Sequence, residues 1–324
     1  MSYAKGLVAT LAELEDWYKG QAEGVGDILE LMNQTNTIMQ DIPWMEANMT
    51  DGHKTRIRTG LPAVQHRRMY KGIEPSKSEY QEIKESCSMY ATRSVLDMKE
   101  IELYGDKAKA FRLSEAKAHL EALQQTVASA LFYGSRKNSP DDFIGFAERL
   151  GSLGNPNVLN AGGKGNNLTS IYLIAWGPDS VHGIYPKGSK AGIQTITSSE
   201  PQYMPDSEGH QFRAMIDEYE WDCGLALRDW RSVARIANID PTSTALDLQS
   251  LTIQAKNKIP ETMRQRAIWY CNAEVLTMLE RQSINSSSVH LTYGQFFGSS
   301  AIPALHGRPI RQCDAIVSSE KEVK

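Results

Sequence analysis

The sequence lacks the motifs by which common catalytic and metal sites are recognised. Its four cysteines, Cys87, Cys223, Cys271 and Cys313, are widely separated and form no CxxC pair, which excludes the spacing of a zinc ribbon. The seven histidines make no HxH or HExxH motif, and no GxSxG nucleophile elbow is present. The sequence therefore predicts no catalytic residue, no cofactor site and no metal site.

A phosphate-binding loop is missing as well. The glycine-rich run GGKG at 162–165 is the only suggestion of one. A Walker A motif needs a glycine where Val158 stands and a serine or threonine where Gly165 stands. Because the run fails at both positions, we do not predict nucleotide binding.

Long hydrophobic runs and a strong excess of one charge are also lacking. The longest strongly apolar run, Ile171 to Trp176, is far shorter than the roughly 20 residues that span a bilayer, so no membrane contact is predicted. The N-terminal 19 residues carry acids within their apolar stretch and no small-residue cleavage site, unlike a secretory signal. The net charge of −4 argues against a protein whose main task is to coat nucleic acid. The composition, 41% hydrophobic and 23% charged, is typical of a soluble globular protein, and few unpaired cysteines fit assembly in a reducing cytoplasm.

The most informative segment that is present is a basic stretch at residues 51–71. Cationic and uncharged residues alternate along its first part, which is strand periodicity, and Gly60 and Pro62 supply a turn. The stretch predicts a β-hairpin with little apolar surface of its own, and such a hairpin is marginally stable in water unless it lies on another surface. Its cationic residues are Lys54, Arg56, Arg58, Arg67, Arg68 and Lys71. A solvated hairpin on a monomer remains the alternative.

An acidic stretch, EPSKSEYQEIKES at 74–86, follows, and its last acidic residue is Glu85. A basic segment beside an acidic one in a single chain suggests identical copies that lie across one another. Trp44 either anchors in a neighbouring surface or is a core tryptophan. The predicted intersubunit contact residues are Lys54, Arg56, Arg58, Arg67, Arg68, Glu74, Glu79, Glu82 and Trp44.

The strongest helix signal covers residues 106–133. Apolar residues recur at helical spacing, Asp106 or Ser114 could cap the start, and Gly134 stands at the position after the end. At 1.5 Å per residue the helix would run about 42 Å, which suits a spine across an elongated subunit. The apolar positions are Ala116, Leu120, Leu123, Val127, Ala130 and Leu131.

Shorter elements follow from local patterns. Residues 245–259 and 273–282 predict helices, the second capped by Asn272. The tail at 318–324 is expected to be disordered. Predicted strands are 171–176, a strand system at 211–240, 266–271, 289–293 and 308–316.

Several strings together resemble the major capsid proteins of tailed bacteriophages. The likeness is to the short-tailed-phage type of epsilon-fifteen and the Bordetella tropism-switching phage, and it covers nearly the whole chain. The strings are LMNQTN at 31–36, GHKTRIRTGLP at 52–62, GIEPSKS at 72–78, FRLSE at 111–115, LFYG at 131–134, WGPDSVHGIYPKGSKAG at 176–192 and WDCGLALRDWRSVARIANID at 221–240.

The resemblance implies an α+β fold, the tailed-phage major capsid fold, with an extended loop that reaches over an adjacent subunit. It implies self-assembly as pentamers and hexamers into an icosahedral shell around double-stranded DNA, in a virion assembled in the host cytoplasm. The implied partners are hundreds of copies of the chain itself, scaffolding and portal proteins, a decoration or cement protein, and packaged DNA contacted weakly and non-specifically. The implied segments are an N-terminal arm at 1–50, an extended loop at 51–90, a peripheral domain at 91–167 with the spine helix at 106–133, an axial segment at 168–205, peripheral strands at 206–241, an axial domain at 242–317 and a tail at 318–324.

The order of two segments looks exchanged relative to common members of that fold. We therefore expect a non-circularly permuted topology. In it, residues 211–240 pack beside the helix at 106–133, and the strand at 308–316 lies with the unit at 266–283. Two other functions stay open at this point: a soluble enzyme with dispersed active-site residues, and a nucleic-acid-binding protein that uses the basic hairpin at 53–71.

Overall fold

The structure is a computed structural model that describes residues 8–10, 37–104, 108–206, 208–243, 246–285, 291–294 and 302–324. Its helices are α1 (Ile38–Asp41), α2 (Met98–Tyr104), α3 (Ala108–Tyr133), α4 (Phe146–Arg149), α5 (Leu248–Lys258), α6 (Glu261–Arg264) and α7 (Ala273–Asn285). Its strands are β1 (Val8–Thr10), β2 (Trp44–Glu46), β3 (Gly52–Gly60), β4 (Glu79–Asp97), β5 (Val158–Asn160), β6 (Thr169–Ala175), β7 (Val181–Tyr185), β8 (Gln194–Thr197), β9 (Gln202–Pro205), β10 (Gln211–Leu227), β11 (Val233–Ile239), β12 (Ala267–Cys271), β13 (Leu291–Gly294), β14 (Ile302–Leu305) and β15 (Arg308–Gln312).

The first of two sheets is built around two long antiparallel strands, β4 and β10. Its order is β1-β8-β10-β4-β3, and β7 and β9 also pair with β10 while β2 pairs with β7. The first part of β4, Glu79 to Ser86, pairs with β3, and the second part, Cys87 to Asp97, pairs with β10. One continuous strand of 19 residues therefore joins the body of the subunit to a projecting hairpin.

The hairpin differs from the one expected at residues 51–71. Its first strand is β3, as predicted, but its second strand is the acidic segment from Glu79 to Ser86, and residues 61–78 form the connection. The acidic segment has the better strand pattern, because Ile83 alternates with polar neighbours and lies opposite Thr55. Connections this long without regular structure are usually functional.

The second sheet has the order β13-β14-β15-β12-β6-β11-β5. Every residue of β6 is buried, which confirms the predicted apolar strand at 171–176. Tyr172 and Ile174 face a core shared with α3, whereas Ile171 and Leu173 face a second core shared with α5 and α7. The strand thus has cover on both faces, as its unbroken apolar sequence requires.

Helix α3 confirms the predicted spine. Its 26 residues span about 39 Å at 1.5 Å per residue. Ser114 lies inside the helix and is not its cap, and Asp106 lies outside the described residues. Gly134 follows the end as expected, and a Cβ at that position would lie 2.5 Å from the carbonyl oxygens of Ala130 and Phe143. The buried apolar positions described in this helix are Leu120, Leu123, Val127, Ala128, Ala130, Leu131 and Phe132.

The segment at 211–240 is divided between the two sheets, which corrects the expectation that all of it lies beside the spine. β10 packs against α3, where Arg112 donates two hydrogen bonds of 2.7 and 2.6 Å to Asp217. β11 instead pairs with β6 in the second sheet. The reason is a break at Trp230–Ser232, capped by Asp229, after which all seven residues of β11 are buried and need cover on both faces.

Other predicted elements are confirmed. Of the strand predicted at 308–316, the part Arg308–Gln312 is a strand, and it lies parallel to β12, as expected of the unit at 266–283. The helix predicted at 245–259 is α5. Asn272 caps α7, because its Oδ1 accepts a hydrogen bond of 3.0 Å from the backbone N–H of Val275. Part of the strand predicted at 289–293 is β13, and the remainder lies outside the described residues. The exchange of segment order relative to other members of the fold stays a prediction.

The tail at 318–324 is ordered, contrary to expectation. Glu320 is buried and forms an ion pair of 2.9 Å with Arg235, which is itself buried in β11. Glu320 also accepts hydrogen bonds from Tyr133 at 2.6 Å and Ser170 at 2.5 Å. The buried arginine needs a counter-charge, and the tail supplies it.

Candidate intersubunit interface

The hairpin formed by β3, the connection and the first part of β4 projects from the body, and we call residues 52–86 the arm. Its end, residues 61–78, is the tip. Residues 61–77 are all exposed. Two side-chain hydrogen bonds lie within the tip, from Gln65 to Glu74 at 3.5 Å and from Ser76 to the carbonyl of Ala63 at 3.0 Å. Among the described residues, nothing in its own subunit covers the tip.

The tip exposes large apolar side chains. The exposed fraction is 87% for Met69 and 96% for Val64, and Tyr70 is fully exposed. Leu61 and Ile73 are exposed beside them. Five large apolar side chains exposed within residues 61–73 are more than the single ones scattered over an ordinary surface, and such exposure marks a candidate interaction site. The charge pattern of the sequence does not reveal it.

Three charged residues of the two arm strands pair with one another. Glu82 forms ion pairs of 2.5 Å with Lys54 and 2.8 Å with Arg56. Hydrogen bonds from Lys54 and then from Arg56 hold the pKa of the Glu82 carboxyl below its usual value. Arg58 donates a 3.0 Å hydrogen bond to the Tyr80 hydroxyl. Glu82, which the sequence suggested as an acceptor for a neighbour, therefore already has two cationic partners in its own chain.

The base of the arm is fixed by an ion pair between the buried Glu85 and the partly buried Arg149. Arg149 of α4 donates hydrogen bonds of 2.7 and 2.6 Å to the two carboxylate oxygens of Glu85. The same guanidinium group donates to the carbonyl oxygens of Leu225 at 3.2 Å and Ile144 at 3.0 Å. Arg149 is missed by sequence reasoning, because 64 residues separate it from Glu85 and no motif links them.

The remaining predicted contact residues divide between the tip and the core. Arg67, Arg68 and Glu74 are exposed on the tip, and Glu79 is exposed where β4 begins. Arg67 and Arg68 have no anionic partner in the part of the chain that the structure describes. Trp44 is partly buried and packs against the core of its own subunit, with its ring 5.7 Å from that of Trp221, as the core alternative expects. Its contact with a neighbouring subunit stays a prediction.

The described residues show no constellation for metal chemistry. Among them, no group of three or more His, Cys, Asp or Glu side chains is placed to hold a metal ion. None of the described helices combines the length and the apolar composition that a bilayer crossing requires.

The family model described as "Major capsid protein GP7" matches residues 20–324. The chain belongs to this family of major capsid proteins. The structure of bacteriophage epsilon15 is similar to it, with 28% sequence identity and a TM-score of 0.68 over 87% of this chain and 88% of that chain. The capsid of bacteriophage JBD30 matches with 10% identity and a TM-score of 0.48 over 87% of this chain and 91% of that chain. No match was found among the curated proteins.

The family match and the similarity to the epsilon15 structure confirm the tailed-phage capsid fold that the sequence strings indicate. The capsid protein is a structural component of a phage virion that self-assembles into an icosahedral shell. The family and the fold are those of a structural protein, and neither the enzyme nor the nucleic-acid-binding alternative is supported.

Proposed function

We propose that the arm is the element by which one capsid subunit holds the next within pentamers and hexamers of the shell. The observation that supports this most directly is the exposed tip, whose large apolar side chains are not covered by any described residue of their own subunit. The base of the arm is fixed by Glu85 and Arg149, so the tip is presented in a defined direction. A fixed base lowers the entropy cost of binding.

The apolar residues of the tip contribute more to this contact than its arginines do. Full burial of one Val, Leu, Ile, Phe or Met side chain contributes about 1.5–3 kcal/mol, whereas an exposed ion pair contributes about 0–1 kcal/mol. Arg67 and Arg68 then act mainly on orientation and on the choice of partner surface. Repetition over every subunit of the shell multiplies both contributions.

The two sheets divide the expected segments differently, since β7 and β8 of the expected axial segment at 168–205 lie in the first sheet and β11 of the expected peripheral strands at 206–241 lies in the second. We assign the first sheet with α3 to the peripheral part of the subunit and the second sheet with α5 and α7 to the axial part near the capsomer centre. The exchange of segment order belongs to the same proposal. Scaffolding and portal proteins are the proposed partners during assembly, and a decoration or cement protein on the finished shell. The net charge of −4 supports a weak and non-specific contact with packaged DNA, because like charges repel.

The experiment replaces apolar tip residues with the triple substitution Met69→Ser, Tyr70→Ser and Ile73→Ser. The chain is expressed with its scaffolding protein and examined by sedimentation and electron microscopy. We expect folded subunits, checked by circular dichroism, that form no capsomers or shells. Arg136→Glu is the matched control, because Arg136 is exposed but lies outside the arm. Normal shells from the triple variant would show that the arm does not hold subunits together.

A further inference from the structure

We infer that a cleft at the base of the arm binds a short chain of phosphate groups, which ties the arm to the body of its own subunit. We call it the basal cleft. Its volume is about 500 Å³, which lies within the usual range of small-ligand pockets. Arg56 and Arg58 of β3 line it from the arm, and the turn after β10, residues 228–231, lines it from the body. Because the site lies within one subunit, it does not depend on what the tip of the arm contacts.

The basal cleft carries more positive than negative charge. It is lined by four arginines, two from the arm and two from the turn, whereas the acids among the described residues that line it are Asp179 and Asp229. Glu82 pairs with Arg56 from the second strand of the arm, but the same carboxylate is shared with Lys54. An excess of positive charge therefore remains on both sides of the cleft, and a multivalent anion between them would be attracted to both.

Two of the four guanidinium groups bond only to neutral oxygen atoms. Arg58 donates a hydrogen bond of 3.0 Å to the Tyr80 hydroxyl. Arg228 donates one of 3.0 Å to the carbonyl oxygen of Pro178, and the carboxylate of Asp179 is 3.9 Å away. Neither arginine has a carboxylate within hydrogen-bond distance among the described residues. Since a guanidinium group carries five N–H donors, both have donors left for a ligand.

The arginine side chains are accessible from solvent. The exposed fraction is 75% for the side chain of Arg56, 55% for Arg231 and 34% for Arg228. A guanidinium group fits phosphate well, because its planar fork donates two parallel hydrogen bonds to two oxygen atoms. A chain of phosphates presents several such oxygen pairs, so that one ligand can bind arginines of the arm and of the turn together.

Trp230 gives the basal cleft an aromatic wall. Its side chain lines the cleft and is 50% exposed, and an exposed aromatic ring can stack with a nucleobase. The phosphate chain therefore has two possible sources, inorganic polyphosphate and the phosphates of a free nucleotide. A long nucleic acid is disfavoured, because the net charge of −4 on the whole chain repels it. The glycine-rich run at 162–165 does not line the cleft.

The test is a titration of the unassembled subunit with sodium triphosphate at low ionic strength, followed by calorimetry and by tryptophan fluorescence. We expect one ligand per subunit. Arg58→Gln with Arg228→Gln should weaken binding by about tenfold or more, because each substitution removes charge-assisted hydrogen bonds. These two arginines suit the test, since neither forms a hydrogen bond to a carboxylate that its loss would leave unpaired.

The matched control is Arg136→Gln with Arg213→Gln. It removes two exposed arginines that lie outside the basal cleft, so the change in net charge is the same. The control should bind triphosphate as the wild type does. An equal loss of affinity in both double variants would show that only the overall charge matters and would overturn the inference. Failure of the wild-type subunit to bind triphosphate or ATP overturns it as well.

A comparison of ATP with triphosphate separates the two sources. Tighter binding of ATP that disappears in Trp230→Leu supports the site with a nucleotide as its ligand, and equal affinities support it with inorganic polyphosphate. Tighter binding of a short single-stranded oligonucleotide than of either would show a nucleic-acid site instead and would contradict the inference.

Amide hydrogen exchange tests whether the ligand joins the arm to the body. Bound triphosphate should slow exchange both along β3 and in the turn at 228–231, because it contacts both. Unchanged exchange in either element would show that the ligand does not tie the arm.

Discussion

Arg149 and Glu85 form a largely buried ion pair with two hydrogen bonds, which connects α4 to the strand carrying the arm. The same arginine also donates to the carbonyl of Leu225 on β10. Three elements distant in sequence therefore meet at one guanidinium group. Because β4 passes without interruption from this point into the arm, the direction of the arm is set by the packing of the body.

Removing one partner of this pair should destabilise the fold strongly. Glu85→Gln or Arg149→Met leaves the other group buried without its counter-charge, and loss of one partner of a buried pair costs about 3–5 kcal/mol. The measurement is the free energy of unfolding in urea. Arg56→Met is the control, because its pair with Glu82 is exposed and such pairs contribute about 0–1 kcal/mol. Equal effects of the buried and the exposed substitution would contradict the prediction.

Gly52 should tolerate no side chain, whereas Gly72 should. A Cβ at position 52 would lie 2.1 Å from the carbonyl oxygen of Glu85, but nothing lies within 4 Å of a Cβ at position 72. Gly52→Ala must therefore separate β3 from β4 at the arm base. We expect faster amide hydrogen exchange along β3 in Gly52→Ala and wild-type exchange in Gly72→Ala. Wild-type exchange in both variants would show that the strands adjust without cost.

The sequence predicts elements well where one local pattern decides them. β6 is identifiable because every residue from Ile171 to Trp176 is apolar or aromatic, and α3 because its apolar residues recur at helical spacing. In both cases a pattern within one short stretch of sequence indicates which side chains are buried. The capping of α7 by Asn272 is local in the same way.

The sequence predicts poorly where a distant partner decides the outcome. The sequence prediction places the second strand of the arm wrongly. It pairs β3 with the basic segment after Gly60, whose charges have the same sign as those of β3, whereas the observed partner strand begins at Glu79. The tail looks disordered because Glu320 and Arg235 are 85 residues apart. At the candidate interface, the charged residues can be predicted from the sequence. The exposed apolar side chains of the tip cannot, because only the structure shows that no described residue covers them.

The tail should contribute measurably to stability. Deleting residues 318–324 removes the carboxylate that pairs with Arg235 and leaves a buried guanidinium group unpaired, which costs about 3–5 kcal/mol. Urea unfolding measures the loss. Glu320→Gln is a milder second variant if the truncated chain does not fold. Glu322→Gln is the control, because Glu322 is exposed and surface substitutions change stability by about 0.5 kcal/mol or less. A truncated chain as stable as the full one would show that the tail does not stabilise the fold.

His182 should make the protein less stable in mild acid. The residue is fully buried on β7, with its ring 5.9 Å from that of His53 and near Arg228 and Asp179. Burial, followed by the charges of His53 and Arg228, lowers the pKa of His182 from 6.5 to about 4. Below pH 6.5 His182 binds a proton in the unfolded chain but not in the folded chain, so the free energy of unfolding falls as the pH falls. Between pH 7 and pH 5 the loss from this residue is about 2 kcal/mol.

The check is urea unfolding at pH 7 and pH 5 for the wild type and for His182→Leu. The variant should lose about 2 kcal/mol less than the wild type over this interval, since it has no imidazole to protonate at that position. Burial also lowers the pKa of His53, so part of the pH dependence remains until His53 is replaced too. His66→Leu is the control, because His66 is exposed on the tip and should leave the pH dependence as it is. The same pH dependence in His182→Leu as in the wild type would show that the buried ring is not the group that responds to acid.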